Sequence, residues 1–74
     1  MAAQTIRSDI TGMVWKIMAV EGEALEEDAT IMVLESMKME IPVLAPTNGR
    51  LLKLLVSEGS SVREGQDIAL FEES

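Results

Sequence analysis

Short apolar runs separated by turn residues are the dominant pattern along this chain. In the second half, extended segments are predicted at residues 41–44, 50–57, 61–62 and 67–72. The segments between them, 46–49, 58–60 and 63–66, hold the glycine, proline, asparagine and serine that favour turns. The first half follows the same plan, so the pattern predicts eight short strands. Strands of this number and spacing indicate an all-β sandwich or flattened barrel.

The sequence also repeats itself at an offset of 37 residues. The offset aligns identical residues in both halves: Gly12 with Gly49, Lys16 with Lys53, Glu21 with Glu58, Gly22 with Gly59 and Ile31 with Ile68. It aligns Gly65 with Asp28, and aspartate is one of the few other residue types that tolerate a positive φ. We therefore predict a single domain over residues 1–74, with half-repeats at about 4–37 and 41–74 related by a pseudo-twofold axis.

A helix is the competing prediction for residues 23–40, which are rich in helix-forming side chains with apolar residues at near-helical spacing. Two observations favour strands instead. The repeat-equivalent segment 60–74 has Gly65 in its middle, which suits a helix poorly. Ile31 and Val33 are β-branched residues within one short apolar run, as is typical of a strand.

Composition excludes several classes of function. The chain has no cysteine and no histidine, which removes disulfides, thiolate nucleophiles, zinc sites built on these residues and histidine acid–base catalysis. A net charge of −7 makes nucleic acid and membrane surfaces poor partners. No apolar run approaches the roughly 20 residues of a spanning helix, and the N-terminus lacks the layout of a signal peptide. We expect a cytoplasmic protein that is not an enzyme.

Two further features are predicted to be structural. The first is an acidic run made of Glu21, Glu23, Glu26, Glu27 and Asp28. Because the run lacks the spacing of a calcium loop, we expect a solvated acidic face and no metal site. The second feature is Trp15, which the repeat pairs with Leu52. This pairing predicts a core or half-buried strand residue and not a platform for a cofactor.

The segment most suggestive of chemistry is Glu35-Ser36-Met37-Lys38-Met39-Glu40, between two apolar runs. If both runs are strands, Lys38 lies at or near a tight hairpin tip. Lys16 and Lys53 are repeat-equivalent strand residues expected to point to solvent, whereas Lys38 has no counterpart in the second half. An exposed amine could reach into the active site of a modifying enzyme. The alternative is an ordinary solvated lysine between two methionines that are there by chance.

The same hexapeptide resembles the biotin attachment motif of biotinyl domains, usually Glu-Ala-Met-Lys-Met-Glu. The resemblance extends over residues 5–73. It includes the paired glycine turns Val20-Glu21-Gly22-Glu23 and Ser57-Glu58-Gly59-Ser60, and the strand–turn segments Gly12-Met13-Val14 and Ala45-Pro46-Thr47-Asn48-Gly49. The chain is therefore similar to the biotinyl/lipoyl attachment domains.

This resemblance implies a fold, a cofactor and partners. The family fold is a flattened barrel-sandwich of two four-stranded antiparallel sheets with the lysine on an exposed turn. By analogy, a biotin protein ligase would attach biotin covalently to Lys38, with Met37 and Met39 recognised by the ligase and Glu35, Ser36 and Glu40 flanking the tip. The biotinyl-lysine would then act as a swinging arm between biotin carboxylase and carboxyltransferase partners.

The chain departs from the family pattern in places. Ser36 replaces the usual alanine, and Asp9-Ile10-Thr11 stands where many members have a Met-Pro-like approach to the glycine. No alanine- and proline-rich linker is found before Ile6, and no insertion of the kind called a thumb is found. In both respects the chain resembles the small single-domain attachment proteins. Two alternatives keep the fold: a lipoyl carrier of an acyl-transfer complex, whose usual tip is Asp-Lys-Ala-like, and an unmodified interaction module.

Overall fold

The computed structural model describes residues 2–74, which form eight strands and no helix. The strands are β1 (Ala3–Arg7), β2 (Gly12–Ile17), β3 (Ala24–Leu25), β4 (Thr30–Ser36), β5 (Met39–Leu44), β6 (Gly49–Leu54), β7 (Ser61–Val62) and β8 (Asp67–Glu73). The all-β prediction is thus confirmed. Within this part of the chain there is no helix that could cross a membrane.

The strands form two antiparallel sheets of four, in the orders β1-β8-β6-β3 and β5-β4-β2-β7. The 37-residue offset converts one order into the other, because it relates β1 to β5, β2 to β6, β3 to β7 and β4 to β8. The predicted pseudo-twofold repeat is therefore present in the strand order itself. The domain limits at residues 1 and 74 stay a prediction.

The core lies between the sheets and is mainly aliphatic, with the ring of Phe71 fully buried in it. Its largest buried side chains are Phe71, Ile31, Met32, Leu34, Leu51, Ile68, Val14 and Val62. Strands β4 and β8 each pair with two neighbours and supply most of these residues. The helix considered for residues 23–40 is absent, because burying this apolar run between two strands outweighs its helix propensity.

The turns follow the predicted chemistry closely. Gly65 and its partner Asp28 both have positive φ, at 85° and 71°, and Gly22 and Gly59 have nearly equal values of 88° and 87°. Two of the strand limits predicted in the second half are wrong by two residues or more. β5 begins at Met39, two residues before the predicted start, because pairing continues to the turn. β6 ends at Leu54 and not at residue 57, since the chain bends at Val56 and then turns back.

The acidic run and Trp15 are only partly as expected. Trp15 is 46% exposed on the outer face of β2, beside a register shift, so it is half-buried and outside the core. The acidic run is not purely a solvated face. The Glu21 carboxylate accepts a hydrogen bond of 2.8 Å from the Leu54 amide, and the Glu23 carboxylate accepts one from the Val20 amide. These two carboxylates hold turns in place.

Candidate lysine attachment site

The candidate site is the two-residue turn that joins β4 to β5. Ser36 pairs with Met39 across the hairpin, which leaves Met37 and Lys38 as the two central turn residues. Both have positive φ, at 50° and 66°, as the type I′ hairpin turn requires. The residues most favourable there are asparagine and glycine, because other side chains are strained in this region. A methionine and a lysine therefore occupy the turn at a conformational cost.

The side chains of the turn project into solvent. Met37 is 91% exposed and Met39 is 62% exposed, although both are apolar. Lys38 lies between them and is exposed as well. Water-exposed methionines contribute little to folding, so their presence here is not explained by the stability of the core. An adaptable thioether surface around an accessible amine suits contact with another protein.

The three lysines differ in their surroundings. Lys16 lies on β2 with its ammonium 5.6 Å from the centre of the Trp15 ring, a cation–π arrangement. Lys53 is exposed on β6. Both strand positions agree with the sequence prediction. Lys38 is the lysine that stands on a turn, where its whole side chain can reach away from the sheets.

The base of this hairpin is held against the neighbouring loop. The Ser36 hydroxyl donates a hydrogen bond of 3.0 Å to the Thr11 carbonyl, and the Thr11 hydroxyl accepts one of 3.1 Å from the Glu64 amide. Gly12 packs so closely on β4 that a Cβ atom there would collide with the Glu35 carbonyl. The exposed tip therefore rises from a fixed base.

Two carboxylates stand on the hairpin just before and after the tip. Glu35 and Glu40 are direct cross-strand partners, so their side chains project from the same face of the sheet. Like charges in this position weaken strand pairing slightly. The one ion pair found among residues 2–74 joins Arg7 to Asp67, so neither carboxylate is neutralised by a salt bridge. The tip therefore presents one positive charge above two negative charges.

The residues at the tip fit covalent attachment of biotin. Attachment requires an amine that can enter the active site of a modifying enzyme, and Lys38 on the exposed turn supplies one. Converting this amine to an amide removes a charge that has no salt-bridge partner in the described chain, so modification breaks no ion pair. Residues 2–74 hold no group of three or more metal-ligating side chains.

The structure brings together all six residues that the sequence singled out, from Glu35 to Glu40. It also gives two further residues a role beside the lysine, which the sequence did not predict for them. Thr11 links the hairpin to the loop before β8, and Gly12 allows the close approach of β4. A signal for Gly12 was available, because the repeat pairs it with Gly49. Thr11 gave no signal, since a threonine in a loop has many ordinary roles.

Comparisons with known proteins show which family the chain is similar to. A family described as "Biotin-requiring enzyme" matches residues 1–71. A biotinylated protein TB7.3 homolog of Mycobacterium leprae is 38% identical, over 92% of this chain and 96% of the relative. A biotin/lipoyl attachment protein of Bacillus subtilis is 36% identical, over 82% of this chain and 84% of the relative.

Solved structures show the same fold within far larger enzymes. The match to a single-chain, multi-domain long-chain acyl-CoA carboxylase has a TM-score of 0.92 and 30% identity, covering 97% of this chain but 7% of that one. The urea carboxylase of Kluyveromyces lactis gives a TM-score of 0.90 at 31% identity, covering 96% of this chain and 6% of that one. The chain belongs to the biotinyl/lipoyl attachment domain family.

Proposed function

We propose that this protein is a biotin carboxyl carrier whose biotin is attached to Lys38. The observation that carries the proposal is the exposed lysine on a strained two-residue turn, between two exposed methionines. Neither the strain nor the exposed apolar surface benefits folding. Both are accounted for if a ligase must recognise this tip and acylate its amine.

The attachment chemistry needs little from the carrier itself. The neutral ε-amine of Lys38 attacks the acyl carbon of biotinyl-adenylate, a new C–N bond forms, AMP leaves and the amine loses a proton. The carrier's contribution is position, because Lys38 stands exposed at the tip of the hairpin, where a ligase can reach its amine. Met37 and Met39 supply apolar contacts, and Glu35, Ser36 and Glu40 complete the surface that the ligase would meet.

Once bound, biotin would supply a ring nitrogen that accepts and releases a carboxyl group. The proposed partners are a biotin carboxylase and a carboxyltransferase, between which the domain carries this group. Tethering keeps the cofactor at a high effective concentration near both partners. In support, this domain type occurs in relatives named pyruvate carboxylase, urea amidolyase and biotin carboxyl carrier protein. A cytoplasmic location is part of the same proposal.

The experiment is co-expression with a biotin protein ligase, followed by intact-mass measurement and peptide mapping. We expect the mass of one biotin amide, on Lys38 alone. Lys38→Arg is the matched variant, because it keeps the charge and the turn position but removes the nucleophile. It should give unmodified protein that is still folded. No adduct, or an adduct on Lys16 or Lys53, would contradict the proposal.

The lipoyl alternative is tested with the same protein. The Bacillus subtilis relative is named for both cofactors, so specificity has to be measured for this chain. Incubation with a lipoyl ligase, lipoate and ATP should leave the mass unchanged if the Met-Lys-Met tip selects biotin. Lipoylation of Lys38 in place of biotinylation would favour an acyl-transfer carrier. Absence of any adduct in protein from its own biotin-replete cells would favour an interaction module.

A further inference from the structure

A groove of about 290 Å³ lies between β1 and β5, which are one edge strand from each sheet. Aliphatic side chains from both strands and from the β1–β2 loop line it, chiefly Ile6, Ile10, Ile41 and Val43. Each of these four is only partly buried, so the apolar surface is open to solvent. The volume is near the lower end of the ~300–1,000 Å³ typical of small-molecule sites, which suits a single small ring system.

The groove begins close to the lysine tip. Ile41, on its β5 side, is three residues after Lys38, so it lies at most about 10 Å from it along the chain. Ile10, on the other side, directly precedes Thr11, whose carbonyl accepts the Ser36 hydroxyl bond at the base of the hairpin. A hydrogen bond between Ser36 and Thr11 thus connects the groove to the base of the lysine tip.

The rim of the groove carries an available acceptor. Asp9 lies on the groove wall and is exposed. Within residues 2–74 its carboxylate has no salt-bridge partner, whereas the nearby Arg7 is paired with Asp67 at 3.1 Å. The groove therefore suits a ligand that has N–H donors at one end, to bond the Asp9 carboxylate, and an apolar ring at the other, to pack on the aliphatic side chains.

We propose that this groove is a resting site for the biotinyl group attached to Lys38. The sulfur-containing ring of biotin would lie against Ile10, Ile41 and Val43, and a ureido N–H would donate to the Asp9 carboxylate. The lysine side chain and the biotin chain together span about 14 Å when extended, from ordinary bond lengths, so the arm can fold back along β5. The proposal rests on the proposed function and adds a retracted state of the arm.

The first test compares amide and methyl NMR spectra of the unmodified and the biotinylated protein, after intact mass has verified one biotin on Lys38. We expect signals of Asp9, Ile10, Ile41 and Val43 to shift, and biotin ring protons to show nuclear Overhauser contacts with the Ile10 and Ile41 methyl groups. Shifts confined to residues 36–40, with no such contacts, would overturn the proposal. This test needs no substitution, so folding of a variant cannot obscure it.

The second test measures how fast streptavidin captures the arm. If about two thirds of the arms are retracted, capture should be about threefold slower than from a fully extended arm. Asp9→Ala should restore the faster rate, because it removes the acceptor at an exposed position. Glu27→Ala is the matched control, which deletes an exposed carboxylate outside the groove and should leave the rate unchanged. Equal capture rates for Asp9→Ala and the parent protein would overturn the proposal.

The experiments separate a failure of the resting site from a failure of the carrier function. A protein that accepts no biotin on Lys38 refutes the proposed function and the resting site together. A protein that is fully biotinylated, but whose groove signals stay unchanged, refutes the resting site alone and leaves the carrier function in place.

Discussion

Replacing Lys38 with glycine should make the protein more stable while removing the proposed attachment point. Lys38 has a φ of 66°, where an L-residue is strained by contact between its Cβ and the backbone. That strain costs about 1–2 kcal/mol for a residue held in the left-handed region. Glycine avoids it, because it has no Cβ.

The expected gain is the difference between two opposing effects. Glycine relieves the strain of about 1–2 kcal/mol, but it gives the unfolded chain extra freedom worth about 0.4–1 kcal/mol. The net increase in the free energy of unfolding should therefore be about 0.5–1 kcal/mol. For a domain of this size, that raises the melting temperature by about 2–8 °C.

Urea unfolding of the Lys38→Gly variant, followed by far-ultraviolet circular dichroism and by the fluorescence of Trp15, measures this gain. Lys38→Ala is the matched control, because it removes the same charge but keeps Cβ and hence the strain. At Lys53, an exposed strand position, glycine should instead be less stable than alanine by about 0.5–1 kcal/mol. If Lys38→Gly is no more stable than Lys38→Ala, the reasoning from backbone strain is wrong.

Three further predictions concern the framework that supports the tip. Phe71→Ala should lose about 3–5 kcal/mol of stability in urea unfolding, because Phe71 is fully buried, whereas Trp15→Ala on the outer face should lose no more than about 1 kcal/mol. Gly49→Ala should lower the melting temperature in calorimetry, because the new Cβ would meet the Phe71 ring; an unchanged midpoint would contradict the close approach of β6 and β8. Glu58→Ala should lower the free energy of unfolding by about 1 kcal/mol, since the Glu58 carboxylate accepts a hydrogen bond of 2.8 Å from the Ile17 amide. Hydrogen exchange at that amide should accelerate in the variant.

Much of the fold could be predicted from the sequence, because its turns are specified by local chemistry. Gly22, Gly59 and Gly65 occupy turn positions of positive φ, and the repeat pairs Gly65 with Asp28, which also has positive φ. The same 37-residue offset also favoured strands over residues 23–40, where helix propensity alone predicted a helix that the structure does not contain. Position along a repeated pattern was more informative than residue preference.

The contacts between distant segments could not be predicted in the same way. The Glu21 carboxylate accepts a hydrogen bond from the Leu54 amide, 33 residues away in sequence. The Glu58 carboxylate accepts one from the Ile17 amide, 41 residues away. Glutamates in a polar turn are compatible with simple solvation, so only the packing of the two halves shows their role. Thr11 at the base of the hairpin was missed for the same reason.

The strained tip and its fixed base are best understood together. Ser36 and Met39 are paired, and the Ser36 hydroxyl is bound to the Thr11 carbonyl, so the ends of the turn cannot relax to relieve the strain at Met37 and Lys38. Strain of this kind persists only where the surrounding structure enforces it. A turn chosen for stability would carry asparagine and glycine. A turn that must present a lysine cannot carry glycine at that position. The reactive amine is part of a side chain, and the Cβ atom of that side chain is what strains the backbone there.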